Sequence, residues 1–407
     1  MHVLIVHQAF VALDEAGGTR HYEMASYLAQ RGNRVTIIAS PVSYLTGKSR
    51  QPRARWREEE TPQPGITILR AYTYSALHRS FVHRVFSFLS FMFSAFFIGL
   101  GVRHVDLVWG TSPPIFQSVT AWLLARLKGA PFLLEIRDLW PEFAIAVGVL
   151  RNPLLIRASL WLEGFLYRHA DRVVVNSPGF LSHVSARGAR RVELIPNGAD
   201  PAMFDPARDG ASFRAEHDLQ DHFVVLYAGA HGLSNDLGVV LEAARQLSSD
   251  DRIRFVLVGA GKEKASLVEK ARALQLENVL FLPPVPKSQM DTALAAADAC
   301  LAILKPLDAY KTTYPNKVFD YMAAGRPVLL AIDGVIRKVV EDAGAGMFVP
   351  PGDPAALAQA ARCLASDPQS ARRMGAAGRA CIEQKFSRAD LTEKLALVLS
   401  EMEKKHG

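Results

Sequence analysis

Only three cysteines occur in 407 residues, Cys300, Cys363 and Cys381, all in the second half and without metal-ligand spacing. That pattern excludes a disulfide framework or a zinc module and predicts reduced, mostly buried thiols of a cytoplasmic protein. Low-complexity tracts are absent. So are helix-turn-helix, zinc-finger and RNP patterns, so no nucleic-acid partner is expected. The opening MHVLIVHQAF is too short and too polar-flanked for a secretory signal and reads as a first strand. Neither glycine-rich loop carries the third glycine of the dinucleotide fingerprint, which counts against an NAD-type site.

What is present is a globular composition, 49% hydrophobic and 21% charged, long enough for two domains. The net charge of +7 is unevenly shared. Residues 1–200 hold 22 Lys and Arg against 14 Asp and Glu, whereas residues 201–407 hold 25 against 26. The first half therefore carries the excess, which points to an anionic partner there, a membrane surface or a diphosphate-bearing substrate.

Short apolar runs alternate with helix-period segments throughout. Strands are predicted near 2–7, 34–39, 66–72, 105–109, 132–136, 172–176 and 191–195. A second series follows near 223–228, 253–258, 278–282, 299–304, 327–331 and 346–349. The alternation implies an α/β fold of two parallel sheets with helices on both faces, expected to enclose a ligand between their edges. The hinge is placed at the turn-forming IPNGAD, residues 195–200. The predicted division is 1–198, 199–386 and a final helix, 387–407, that packs back on the first domain. Two insertions interrupt the rhythm. Residues 46–65, polar and proline-containing, read as a mobile loop. Val85–Val102 is charge-free and rich in phenylalanine. A helix near 81–102 lying in a membrane interface is the favoured reading, with a buried core helix and a true span as alternatives. Arg79, His83, Arg84 and Arg103 flank it and suit anionic headgroups.

The most informative segment is PNKVFDYMAAGRPVLL, residues 315–330. Pro315 stops a loop, Asn316 is placed to cap, and a helix follows until Gly325. The unpaired N–H groups of such a helix start suit a phosphate. Lys317 stands in the first turn, against the helix dipole, and needs a reason to be there. Asp320, one turn on, is positioned to accept from paired ribose hydroxyls. VGAGK repeats the theme, with Gly259 and Gly261 in a strand-to-helix loop and Lys262 as a second helix-initial cation. His231 follows the first strand of the second half and faces the same expected site. Gly17 and Gly18, in GGTR before Arg20, admit close approach of an anion, although an ordinary turn is the favoured reading of that motif alone and a simple tight connection suits VGAGK equally. In EIRDLWPE, Arg137 is best suited to neutralise phosphate, with Asp138 and Glu142 beside it; a structural salt-bridge cluster is the alternative. There is no Asp-x-Asp pair.

Together these segments resemble family 4 of the retaining glycosyltransferases, with the GT-B fold of two facing Rossmann-like domains. The resemblance runs through GGTR, EIRDLWPE, IPNGAD, VGAGKEK, ENVLFLPPVPKSQM and PNKVFDYMAAGRPVLL. It is closest to bacterial surface-polysaccharide transferases, the N-acetyl-L-fucosamine transferases among them. It implies a UDP-sugar donor, a polyprenyl-diphosphate-linked sugar acceptor, retention without metal or other cofactor, and attachment to the inner face of the plasma membrane. By the same resemblance Gly17, Gly18 and Arg20 approach the diphosphate or acceptor. Lys317 and the Asn316 backbone hold the donor phosphates, Asp320 takes the ribose and the loop at Val285 the base. Arg20, Lys262 and Lys317 are the expected leaving-group stabilisers. Arg137 occupies the place where many relatives have a histidine. Thr312 stands where the wider family has a glutamate. An epimerase or hydrolase of the same fold, or a non-catalytic assembly partner, are the competing readings.

Overall fold

A computed structural model describes residues 1–50, 53–75, 79 and 81–404. The chain divides into two compact units. One comprises Met1–Ala12, Thr19–Pro196 and Ala389–Gly407, and the other Leu13–Gly18 and Asn197–Arg388. The segment Leu13–Gly18, expected in the first domain, thus groups with the second.

The strands of the first unit are β1 (His2–Val6), β2 (Arg34–Ala39), β3 (Arg57–Gln63), β4 (Ile66–Ala71), β5 (Leu107–Ser112), β6 (Phe132–Ile136), β7 (Arg172–Val175) and β8 (Val192–Leu194). They form one sheet in the order β3-β4-β2-β1-β5-β6-β7-β8. Its central strands are buried on both faces, which explains their continuous apolar runs. The second unit has β9 (Phe223–Ala228), β10 (Ile253–Val258), β11 (Val279–Leu282), β12 (Ala299–Ile303), β13 (Val328–Ala331) and β14 (Gly346–Phe348), in the order β11-β10-β9-β12-β13-β14. Every pairing is parallel except β3 with β4.

β3 corrects the reading of 46–65 as a mobile loop. Its residues REEETPQ contain no apolar repeat because the strand lies at the sheet edge, where only one side is paired. Arg70 on β4, 1% exposed, holds it by donating to both carboxylate oxygens of Glu60. The register shifts between Glu60 and Gln63, the stretch that contains Pro62. Residues 51 and 52 of the expected loop lie outside the described residues.

Helices of the first unit include α1 (Arg20–Gln30), α2 (Phe81–Leu100), α3 (Ile115–Lys128), α4 (Glu142–Ala146) and α5 (Pro153–His169). α2 is long and apolar enough to cross a bilayer by length and composition. It is not a fully buried core helix. Phe91, Ala95 and Ile98 enter the core, while Phe86, Phe93 and Phe97 on the opposite side are 59%, 59% and 48% exposed. The last helix, Arg388–Glu403, is tied to the first unit: Tyr27 donates to Glu393 (2.7 Å) and Arg172 to Glu401 (3.0 Å). Of the cysteines only Cys300 is buried, against the expectation of mostly buried thiols; Cys363 is exposed and Cys381 partly covered.

Candidate active site

In the second unit, the loops leaving β9 and β10 touch backbone to backbone. Gly229 N–H donates to Val258 C=O (3.0 Å), and His231 N–H to Ala260 C=O (2.8 Å). Gly229, Gly259 and Gly261 have φ of 150°, 155° and 155°. A Cβ on Gly259 would lie 1.9 Å from the Gly229 carbonyl oxygen, and one on Gly261 2.4 Å from that of His231. Only glycine allows this approach.

Into this cradle points Lys317. Its helix, Asn316–Ala323, presents its first turn there, and a Cβ on Gly229 would meet the Lys317 Nζ at 2.7 Å. The amine is buried, has no hydrogen-bond partner, and lies 3.8 Å from the centroid of the Tyr227 ring. Burial pulls its pKa down to about 7. A buried, unpaired amine at a helix N-terminus is destabilising on its own and becomes favourable once an anion arrives. His231, 0% exposed and with both ring nitrogens unpartnered, lies beside it. Burial, reinforced by Lys264 and Lys317, lowers its pKa to about 4, so its ring is neutral.

Asn316 does not cap its helix; Pro315 is the cap residue. Its amide instead donates to Asp320 (3.2 Å), and its carbonyl accepts from Arg388 (3.0 Å). Asp320 is also ion-paired with Lys287 (2.6 Å), whose amine is almost fully buried over the Phe204 ring. Lys262 is exposed and precedes the helix Lys264–Ala273 rather than starting it. The lysine turned inward is Lys264, which donates to the Gly259 and Leu282 carbonyls (2.7 and 2.6 Å) and braces the glycine loop. Val285 packs against the core of this unit. Gly17 and Gly18 are exposed, in a segment held by Lys287 N–H to Glu15 C=O and Ser288 N–H to Leu13 C=O.

The charged cluster of the first unit is arranged differently. Arg20, expected to reach a phosphate, is 5% exposed and already engaged. It donates to Glu135 (3.0 Å) and to the Pro196 and Ile195 carbonyls (both 2.8 Å). Its role is to clasp the end of the first unit to β6. Glu135, wholly buried, also pairs with His21 (2.5 Å). Burial alone would raise the Glu135 pKa, but His21 and Arg20 outweigh it and hold the carboxyl well below the usual range. Arg137 follows on the same strand end, its Nη2 donating to the Pro113 carbonyl while Nε is buried and unpartnered. Asp138 retains solvent access, but the surrounding protein pushes its carboxyl up to about 6 against the pull of Arg137. Glu142 is turned away from this group to His183 (2.9 Å).

Two family models match the chain: "Glycosyl transferase 4-like domain" over residues 16–198 and "Glycosyl transferases group 1" over 222–367. The chain belongs to the glycosyltransferases of the GT-B fold. It is 26% identical to the putative colanic acid biosynthesis glycosyl transferase WcaI of Escherichia coli K12, over 74% of this chain and 76% of WcaI. Sucrose-phosphate synthase of Thermosynechococcus elongatus shares the fold, with a TM-score of 0.77, 18% identity and 98% coverage of both chains. So does HepE of Anabaena in complex with UDP-glucose, with a TM-score of 0.72, 16% identity, and coverage of 98% of this chain and all of HepE. The glycosyltransferase belongs to the same broad class that the sequence motifs implied. Sequence reading gave no role to Lys264, Lys287, Tyr227 or the Glu135–His21 pair; VGAGKEK, ENVLFLPPVPKSQM and EIRDLWPE contain three of these residues, but the motifs do not say which partner each side chain meets.

Proposed function

We propose that this glycosyltransferase moves a sugar, with retention and without metal, from a UDP-sugar to a polyprenyl-diphosphate-linked saccharide. The carrying observation is the buried, unpartnered Lys317 amine facing the Gly229 and Gly259–Gly261 loops. The UDP-glucose complex of HepE and the colanic acid role in the name of WcaI support the donor class and the polysaccharide setting. In this reading the donor is an N-acetylated deoxy-amino sugar, and the product enters O-antigen, capsule or exopolysaccharide assembly. The enzyme attaches peripherally to the inner face of the plasma membrane.

Lys317 and the first N–H groups of its helix take the diphosphate, and Asp320 takes the ribose. As the anomeric C–O bond breaks, negative charge grows on the departing diphosphate oxygen, where a fixed cation is most effective. That oxygen removes the acceptor hydroxyl proton while the acceptor oxygen forms its bond on the same face of the sugar. No protein nucleophile is needed, and alignment of the two substrates supplies much of the remaining rate. The test is a transfer assay with a panel of UDP-sugars against short polyprenyl-diphosphate sugars. Lys317→Ala is expected to cost orders of magnitude in transfer with the fold intact; near-normal turnover in that variant would overturn the assignment.

A further inference from the structure

We propose that the first unit lies on an anionic phospholipid bilayer along α2, with a basic cavity at the C-terminal end of that helix seating a lipid phosphate. This rests on the membrane-attached reading above and gives it an address.

Phe86, Phe93, Phe97 and Leu100 recur at helical spacing and form one exposed stripe. Trp56, 51% exposed, packs edge-on against Phe93, with ring centroids 6.3 Å apart. A run of large apolar side chains this long on a helix surface marks an interaction site, and single exposed hydrophobics do not. The stripe leads to a cavity of about 320 Å³ beginning at Gly101 and Val102. Its walls carry Arg34, Arg57, Arg103 and His2. Arg57 is paired with Glu59 (2.5 Å). Arg34 meets only neutral groups, His2 Nδ1 (2.6 Å) and the Arg103 carbonyl (3.2 Å). Among the described residues neither Arg34 nor Arg103 has a carboxylate partner.

Two further features favour an anion here. The carbonyls of Leu100 and Val102, at the negative end of the α2 dipole, accept from Lys128 Nζ (3.3 and 2.6 Å), which removes their repulsion. Between Tyr72 and Leu134 the sequence has five Arg and Lys and a single acid, Asp106. Asp106 is occupied by the His2 backbone N–H (2.6 Å). A cationic cavity at the end of an apolar stripe matches a phosphate above acyl chains, the arrangement of a bilayer surface.

The test is co-sedimentation of the full chain with phosphatidylcholine vesicles, with and without phosphatidylglycerol. The wild-type chain is expected to prefer the anionic vesicles at least about thirtyfold, since each of the two basic side chains near the surface contributes about 1 kcal/mol. R34Q/R103Q should lose roughly thirtyfold on anionic vesicles and nothing on neutral ones. R103Q alone, at an exposed side chain, should lose roughly fivefold, which guards against misfolding of the double variant. F93S/F97S should weaken binding to both vesicle types. Unchanged anionic preference in R34Q/R103Q, or inorganic phosphate binding to the cavity while vesicles are ignored, would overturn the proposal. A wild-type chain that binds these vesicles but not UDP would support it and overturn the donor reading instead.

Discussion

The two units place charge at their strand ends in opposite ways. In the first, the buried Glu135 is saturated by Arg20 and His21, and only the neighbouring Arg137 keeps a buried Nε without a partner. In the second, Lys317 is buried with nothing to bond, beside glycine loops that pack backbone to backbone. A satisfied buried charge holds a fold together, whereas an unsatisfied one asks for a substrate. In the sequence both sites offer candidate phosphate contacts, and only the first carries a salt-bridge cluster as its alternative.

The sharpest way to break this contrast is to remove one charge from each unit. Glu135→Gln leaves Arg20 buried without its counter-charge and should cost about 3–5 kcal/mol in urea unfolding, with the proposed UDP site of the second unit still formed. A variant as stable as wild type would mean that the cluster is not structural. Lys317→Ala should do the reverse. Transfer should fall about 10²–10³-fold, the usual cost of removing one preorganised charge-stabilising group, while the melting temperature holds or rises. A large drop in melting temperature would place Lys317 with the structural charges.

Protonation gives a finer test. The free Lys317 titrates near 7, and a bound diphosphate must raise that value. UDP binding therefore takes up a proton above pH 7, and affinity should weaken by up to about tenfold per pH unit there. In Lys317→Arg that dependence should vanish, because guanidinium stays charged. Without ligand the sign is opposite for stability. The unfolded lysine holds its proton to about pH 10.4, so this residue's contribution to stability rises with pH from about 7 upward. Titration calorimetry of UDP from pH 6 to 9 reads the first effect; a flat wild-type profile would remove Lys317 from the phosphate site.

The smallest effect is expected at Gly18, where an added Cβ meets nothing within 4 Å; Gly18→Ala should change stability by less than about 0.5 kcal/mol. Gly259→Ala, by contrast, should abolish UDP binding, because the new carbon cannot share space with the Gly229 oxygen. Equal tolerance at both sites would show that the second loop is no tighter than the first.

Most strands coincide with the apolar runs that predict them, because strands buried on both faces must be apolar along their length. β5 is the largest displacement. It runs Leu107–Ser112 rather than 105–109, since its pairing partners β1 and β6, not its own composition, set its end. β3 was not legible at all: an edge strand of glutamates has no periodicity to betray it. Within the candidate site, Lys317 stands out in the sequence because it breaks a local rule, and Gly259 and Gly261 are marked by their loop, whereas Gly229 carries no such mark. The rule broken is that a cation at a helix start opposes the dipole.

By itself, then, the sequence determined two parallel α/β units, the helix start at Asn316 with its opposing lysine, and a charge-free phenylalanine helix, because these follow from local periodicity and composition. Tertiary structure alone decided which charges are free. Arg20 is consumed by Glu135, 115 positions away, and Lys264 rather than Lys262 turns inward. It also decided that Phe86, Phe93 and Phe97 stay outside while Phe91 goes in. Partnership and burial depend on segments distant in the chain, and no local pattern can carry that information.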